Sequence, residues 1–498
     1  MKNKFRYIIV LSLALISGIS CKKEYMLPVP PDAISDAIAF DTPERILQNV
    51  RSLYLNAKGG AFYAGRFIVY GDIRGEDFLN ETGNIVTSAD VWALNPQGSS
   101  TNSVINLWAQ AYKTINLCNI VLEGVTAKGP SVVGATLTAN YLGEARFVRA
   151  LCYYSLLQLY ARPYADGAGS KPGLPLRLTA ITGPGSSDLA RSTVAQVYAQ
   201  IIADLNFAET NLPLTNASAE LNTTRAHRNT AIALKTRVYL SMQDYVSVKA
   251  EGDKIVTAGT TGPFTANVGT TGVVHALQSN ILTIFTTSYN TTESIFSFPM
   301  SAAAGDNPGT QNQLGFYFLR NSANPGSAEY SLNPSGIVSD SVFSVAPANN
   351  DARKNLVFTN TSNNKKFVNK YQLPSPFLDY APVIRYAEVL LNVAEAYARI
   401  NTATADPRGL ALLRAVRFRS NPTAATINPT TQAQLITMIL QERRIEFLGE
   451  GLRNNDLMRL LQTIPAKGSV PAKTPSDQGY IWPISATEMA LNKLMVDN

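Results

Sequence analysis

Glu442, Glu446 and Glu450 stand four residues apart in the stretch QERRIEFLGEGLR, so a helix would carry these carboxylates on one face. Carboxylates that close together are the raw material of general acid–base catalysis. The same stretch brings Arg443, Arg444 and Arg453, with Asp456 three residues after Arg453. That balance predicts a local ion-pair ladder bracing a corner at Gly449 and Gly451 rather than a catalytic centre. Arg385 and Glu388 read likewise as an i,i+3 pair, and Arg146 and Arg149 as two cations needing acidic partners or loop carbonyls. The two histidines, His227 and His275, have no partner at metal-ligand spacing, so no metal or other cofactor is expected. There is no GxSxG, P-loop or HExxH, and the chain is not expected to be an enzyme. Cys118 and Cys152 lie in apolar helical segments and read as free buried thiols; a bridge between them stays open in an oxidising compartment.

These residues need a large body to hold them, and the chain can build one. Of its 498 residues 45% are apolar, enough for a sizeable core, while only 16% are charged. The usual charged share is ~25%, so Asn, Thr, Ser and Gln must make much of the surface. Lys2, Lys4 and Arg6 precede an apolar run from Tyr7 to Ser20, which reads as a secretory signal over 1–20. The run is too short for a bilayer, which needs ~20 residues. Cys21 follows it directly and resembles the lipobox cysteine of bacterial lipoproteins, with Gly18 at a position where Leu is usual. Cys21 is therefore the expected lipid attachment point. Cleavage would remove the leader's positive charges and bring the net charge from +7 to +4, which gives no reason to expect nucleic acid.

A Pro-rich tether over 21–42 leads into a single expected body, 43–498. Its N-terminal part, 43–258, should hold helices near 43–57, 103–125, 139–160, 192–212, 227–241 and 244–258, with loop over 61–102. Residues 259–382 are rich in Gly, Asn, Thr, Ser and Pro and read as a loop-rich, ligand-facing insert with short strands. Helices resume at 383–400, 407–420, 429–448 and 452–463, and Ser485 should cap a last one. The pairs 139–160 with 192–212 and 227–241 with 244–258 resemble tetratricopeptide units, although no strict 34-residue period is present. The expected fold class is mainly α: a tetratricopeptide-like helical scaffold with a long loop-rich insert and short strands.

Several segments together resemble the SusD/RagB family of Bacteroidetes outer-membrane lipoproteins. They are WAQAYKTINLCNIVLEG at 108–124, EARFVRALCYYSLLQLYARP at 144–163, VIRYAEVLLNVAEAY at 383–397, QERRIEFLGEGLRNNDLMRL at 441–460 and Trp482-Pro-Ile-Ser near the end. Departures are Ser485, where Pro is common, and Asn454-Asn455, where an aromatic is usual. The resemblance implies a lipid-anchored, surface-exposed protein of the outer membrane. It would capture a nutrient, most often an oligosaccharide, and pass it to a SusC-like TonB-dependent transporter.

Sugars offer apolar faces to aromatic rings and hydroxyls to polar side chains. On that ground the expected ligand residues are Trp92 with Asn95, then Tyr70, Asp72, Arg74 and Asp77 in the same loop-rich segment, and Tyr317, Arg320 and Tyr330 in the insert. Trp108 and Trp482 read as core. Three tryptophans are few for a stacking platform, so peptides or another nutrient remain open as ligands.

Overall fold

The helices begin where local chemistry allows them to. The computed structural model describes residues 38–498 except 184, 186–187, 267–271, 287, 304, 320–327 and 425–426. The leader, Cys21, most of the tether and Arg320 therefore lie outside the described residues. Helix α1 (Pro43–Ala57) has Pro at its first position, and the Thr42 hydroxyl accepts from Arg45 N–H at 3.3 Å. After α2 (Arg66–Ile73) and the short α3 (Ala89–Trp92) come two long helices, α4 (Asn106–Val132) and α5 (Gly134–Tyr160). Then follow α6 (Val194–Asn211), α7 (Ala219–Thr224), α8 (Arg228–Ser241) and α9 (Tyr245–Gly252). The C-terminal part holds α10 (Tyr386–Ile400), α11 (Pro407–Ser420), α12 (Gln432–Glu446), α13 (Arg453–Arg459) and α14 (Ala486–Leu491). Thr193 and Gln196 form a reciprocal capping box at α6, with bonds of 3.2 and 2.8 Å.

Both expected helix pairs pack, α5 on α6 and α8 on α9, and the stack extends further. Helix α4 lies along α5, α6 meets α8, and α10 sits between α9 and α11. One apolar core runs through the stack. It takes nearly the whole second half of α5, including Phe147, Leu151, Tyr154, Leu157 and Tyr160. The fold is mainly α, as expected.

Three local expectations change. Residues 61–102 hold α2, whose Ile68, Val69, Tyr70 and Ile73 are buried. Residues 383–385 are strand: β6 (Ala381–Arg385) pairs antiparallel with β2 (Ser294–Phe298), and α10 begins only at Tyr386. Both strands are buried along their length, which suits β-branched and aromatic side chains better than an extra helical turn. At α14, Ser485 occupies the cap position, but its side chain makes no capping bond. The segment 259–382 is loop-rich yet woven into the body. Phe296 and Phe298 lie in the main core. A second sheet, in the order β1-β3-β5-β4, joins β1 (Phe78–Asn80) to β3 (Tyr330–Leu332), β5 (Lys366–Val368) and β4 (Val357–Thr359). Its register sets Phe78 opposite Leu332 and Phe358 opposite Phe367.

The charged motif also behaves differently from a local ladder, because its residues are buried and reach across the fold. Glu442 pairs with Arg353 (2.5 Å) and Arg417, and Glu446 with Arg419 (2.5 Å), Arg385 (3.1 Å) and Arg353 (3.3 Å). Glu450 receives Lys370 at 2.5 Å and Arg385 at 2.7 Å. Arg443 turns to Asp456 (2.9 Å), Arg453 to Glu76 (2.6 Å) and Arg444 to Asp77 and Glu76. Arg385 ignores Glu388, which binds Arg237 at 2.5 Å, and takes Glu293 at 2.6 Å instead. Asp456, expected opposite Arg453, is held by Arg443 and Arg459. Arg146 and Arg149 converge on Asp204, at 3.8 and 2.7 Å. Burial alone would raise the Glu446 carboxyl, yet Arg419, Arg385 and Arg353 hold it well below the usual range. Burial opposes Asp456 in the same way, and Arg443 and Arg459 still bring it down to about 2.

Cys118 and Cys152 are free buried thiols. The two histidines meet in the interior, stacked at 5.4 Å between ring centroids, and no cluster of metal ligands forms among the described residues. Burial pushes His275 down to about 4, and burial and the neighbouring His275 push His227 well below its usual range.

Two outcomes follow. Replacing Arg385 by Met removes a cation shared by Glu293, Glu446 and Glu450, leaves the buried cluster with excess negative charge, and should cost about 3–5 kcal/mol in denaturant unfolding. Replacing the exposed Lys365, which pairs with Glu81 at the surface, should cost under ~1 kcal/mol. A histidine depressed in the fold binds its proton more readily once unfolded, so its contribution is full above pH ~6.5 and lost as the pH falls toward about 4. Depressed carboxylates such as Asp456 lose theirs lower, from about pH 4 toward about 2. Asp379, raised to about 6 by burial, and Asp72, also raised by burial, work in the opposite direction. The clean readout is therefore a difference: His275→Gln should flatten the stability–pH slope between pH 4 and 6.5 by up to ~3 kcal/mol against the parent. Parallel slopes would remove the histidine pair as the cause.

Candidate functional site

The stretch Asn95-Pro-Gln-Gly is a turn built on its own side chains. Gln97 Nε2 donates to the Asn95 carbonyl (3.1 Å) and to Asn95 Oδ1 (2.9 Å), and the Ser100 hydroxyl accepts from Gln97 N–H at 3.0 Å. Far along the chain, Ser476-Asp-Gln-Gly makes a second turn, in which Thr474 N–H donates to Asp477 Oδ2 at 2.7 Å. The two turns meet across a cleft of about 530 Å3, completed by Arg162, Ile481, Pro483 and Asn498. Gly479 makes the approach possible. Its φ is +87°, and a Cβ there would sit 2.2 Å from the Leu94 carbonyl oxygen. A Cβ on Gly98 would sit 2.9 Å from the Ile484 carbonyl oxygen, and the Gly98 carbonyl accepts from Ala486 N–H at 2.9 Å.

The cleft lining combines amides with the exposed carboxylates of Asp477 and Asp497 and with Arg162. Asn95, Gln97, Gln478 and Asn498 offer amides, and Ser476 a hydroxyl, while Pro96, Ile481 and Pro483 supply apolar surface. Asn95, Gln97, Ser476 and Gln478 are exposed. Arg162 is committed to Asp166 (2.5 Å) and to the Pro475 carbonyl (2.6 Å), with its guanidinium 5.2 Å above the Tyr480 ring. The cleft's amides and carboxylates can exchange hydrogen bonds with a polyhydroxylated or amide-bearing ligand.

Of the residues expected to bind, Asn95 alone is exposed at this cleft. Several others stand one layer behind it. Trp92 is half-buried, donates its indole N–H to the Phe78 carbonyl at 2.8 Å, and packs on the cluster of Leu94, Ile464 and Tyr480. Lys467 Nζ lies 5.7 Å over the Trp92 ring. Tyr70 is buried edge-on to Trp482 at 5.1 Å and donates to the Asn102 carbonyl at 2.9 Å. Arg74 is fully buried; it donates to the Tyr480 carbonyl (2.6 Å) and to Asn454 Oδ1 (2.8 Å). Tyr70 and Arg74 shape the wall from within, while Trp92 keeps part of its surface open to solvent.

The remaining expected residues are internal for other reasons. Asp72 accepts from Gly451 N–H at 2.8 Å, and burial raises its carboxyl well above the usual range. Asp77 accepts from Ile337 N–H at 2.7 Å and from Arg444. Tyr317 and Tyr330 are buried and stacked at 6.2 Å, with the Tyr330 hydroxyl donating to the Thr87 carbonyl at 2.9 Å. Arg320 lies outside the described residues. Trp108 and Trp482 are core, as expected. Gln97, Arg162 and the 476–483 wall were missed. The cluster Pro475-Ser-Asp-Gln-Gly signals a turn, but its meeting with residue 95 is a long-range fact that no local pattern carries.

Comparison with known proteins places this geometry. Residues 27–240 match a SusD-like family described as starch-binding and associating with the outer membrane, and residues 344–498 match the SusD family. SusD-like protein P38 of Formosa agariphila is 23% identical over 97% of this chain and 96% of its own length. SusD-like protein P25 of the same organism is 24% identical, but that match spans only 44% of its length. A crystal structure of a SusD superfamily protein from Bacteroides fragilis superposes with a TM-score of 0.79 at 30% identity, covering 92% of this chain and 99% of that one. A laminarin-binding SusD-like protein shares the fold at 20% identity and a TM-score of 0.67, over 92% of this chain and 99% of its own. With the helical stack, the buried Arg/Glu corner and nearly full-length likeness in agreement, the chain belongs to the SusD/RagB family.

Proposed function

We propose that this protein is a lipid-anchored, surface-exposed binding protein of the outer membrane that captures an oligosaccharide in the 95–98/476–483 cleft. In this reading it hands the ligand to a SusC-like TonB-dependent transporter, and Cys21 carries the lipid. The observation that carries the reading is the cleft itself: exposed amides beside Asp477 and Asp497 on two turns, braced from behind, in a chain of the SusD/RagB family. The laminarin-binding neighbour supports a glycan as the ligand class for this fold. Asn95, Gln97 and Gln478 make the direct contacts, and Trp92, Tyr70 and Arg74 position the wall. The role is binding rather than catalysis, since Glu442, Glu446 and Glu450 are all engaged by buried cations.

A peptide or another nutrient in the same role is the second reading. It is favoured by the tryptophans: Trp108 and Trp482 are buried, and the Trp92 indole is used internally.

Calorimetry of the full chain against laminarin and a panel of neutral oligosaccharides should give saturable binding to at least one. Asn95→Ala combined with Gln478→Ala should weaken that binding about tenfold with an unchanged melting temperature. Trp92→Ala should instead cost about 2–4 kcal/mol of stability and weaken binding through the cleft floor. Binding to a peptide mixture with none to any glycan would establish the second reading. In the native organism, Cys21→Ser should abolish incorporation of labelled palmitate, and a large barrel protein should co-purify with the parent chain. Failure of both would remove the anchoring and transporter parts of the proposal.

A further inference from the structure

A separate cleft of about 240 Å3 opens where α1, α7 and the chain leaving β2 meet. Arg51, Leu55 and Lys58 follow the i, i+4, i+7 spacing on α1, so they share one helical face. Its apolar walls are Leu55, Leu221, Phe298 and Pro299. Leu55 is 48% exposed, an apolar surface left open to water at the mouth.

The rim is cationic. Lys58 is matched by Asp306, and Arg225 grips Glu144 through two bonds of 2.5 and 3.0 Å. Tyr54 closes the base and donates its hydroxyl to the same Glu144 at 2.6 Å. Arg51 is exposed and forms no ion pair among the described residues. The rim therefore carries one cation more than its carboxylates neutralise, beside an open apolar wall. Asp306 shows that a carboxylate settles here, and a ligand carboxylate on Arg51 would repeat that contact about two helical turns away. The 95–98/476–483 cleft offers amides instead, so the two suit different ligands.

We propose that this second cleft binds a small organic monoanion, its carboxylate on Arg51 and its apolar body on Leu55, Leu221, Phe298 and Pro299. Ligand sites for drug-sized molecules run from ~300 Å3 upward, so this one takes a fragment of roughly ten non-hydrogen atoms.

The test is calorimetry of the full chain with benzoate and with hexanoate, and benzyl alcohol as the uncharged control. At least one carboxylate should bind with a millimolar or tighter Kd, and benzyl alcohol more weakly than benzoate. Arg51→Gln should weaken carboxylate binding about fivefold, and Leu55→Ser comparably, with the parent's melting temperature retained because both positions face solvent. Oligosaccharide binding should be unchanged in both variants, which separates this site from the first. Absence of carboxylate binding up to about 20 mM would overturn the proposal. Equal affinity in Arg51→Gln or in Leu55→Ser would do so as well.

Discussion

A charge buried in this protein needs a partner, and a network of opposite charges meets that need in much of the C-terminal half. Five cations (Arg353, Lys370, Arg385, Arg417 and Arg419) face five carboxylates (Glu293, Asp351, Glu442, Glu446 and Glu450). They come from the insert, β6, α11, α12 and the turn after it, so no one element can shift without exposing an unpaired charge to a low-dielectric interior. Such a network adds little net stability over an apolar core of the same shape, because desolvation offsets most of the attraction. It does penalise every other arrangement of the same elements.

Helix α12 transmits that order toward the ligand face. Arg444 on one of its sides holds Asp77, which begins the approach to β1, while Arg443 ties it to α13 through Asp456. The turn after α12 then receives Asp72 from α2, through Gly451 N–H. Arg74, just past α2, reaches Asn454 and the Tyr480 carbonyl. Asn454 stands where the family usually has an aromatic. Here its amide oxygen accepts from Arg74 and its nitrogen donates to the Gln158 carbonyl at 3.2 Å, so a polar side chain is required. The chain of contacts ends at the cleft wall, where Tyr480 and Trp482 stand behind Gly479, Ile481 and Pro483.

The helical stack was largely legible because it is written in local patterns: caps, 3.6-residue periodicity and breakers. The expected helix starts at 43, 192 and 407 fall within two residues of α1, α6 and α11. The strand at Ala381–Arg385 was not legible, because a short apolar run beside a strong helix reads as more helix until its partner β2 is known. The same limit governs the charges. Spacing places Glu388 beside Arg385, whereas Glu293 and Glu450 reach it only through the fold. Of the residues expected to meet ligand, Tyr70, Asp72, Arg74, Asp77, Tyr317 and Tyr330 are buried, while Asn95 stays exposed; which side chains turn inward depends on long-range partners that spacing does not carry.

That inversion accounts for the low charge of the chain. Much of its Arg, Glu and Asp is spent inside as matched pairs, and the exposed loops of the main cleft draw on Asn, Gln, Ser and Pro beside Asp477 and Asp497. An amide surface interacts with hydroxyls at short range and is little affected by ionic screening, unlike a surface of unpaired charges. The cleft beside Arg51 is the exception, with an unmatched guanidinium and an open apolar wall, and its electrostatics should respond to salt where the amide cleft does not. The two clefts stand on separate supports, the 476–483 turn behind one and α1 with α7 behind the other, so a substitution in either wall leaves the other in place.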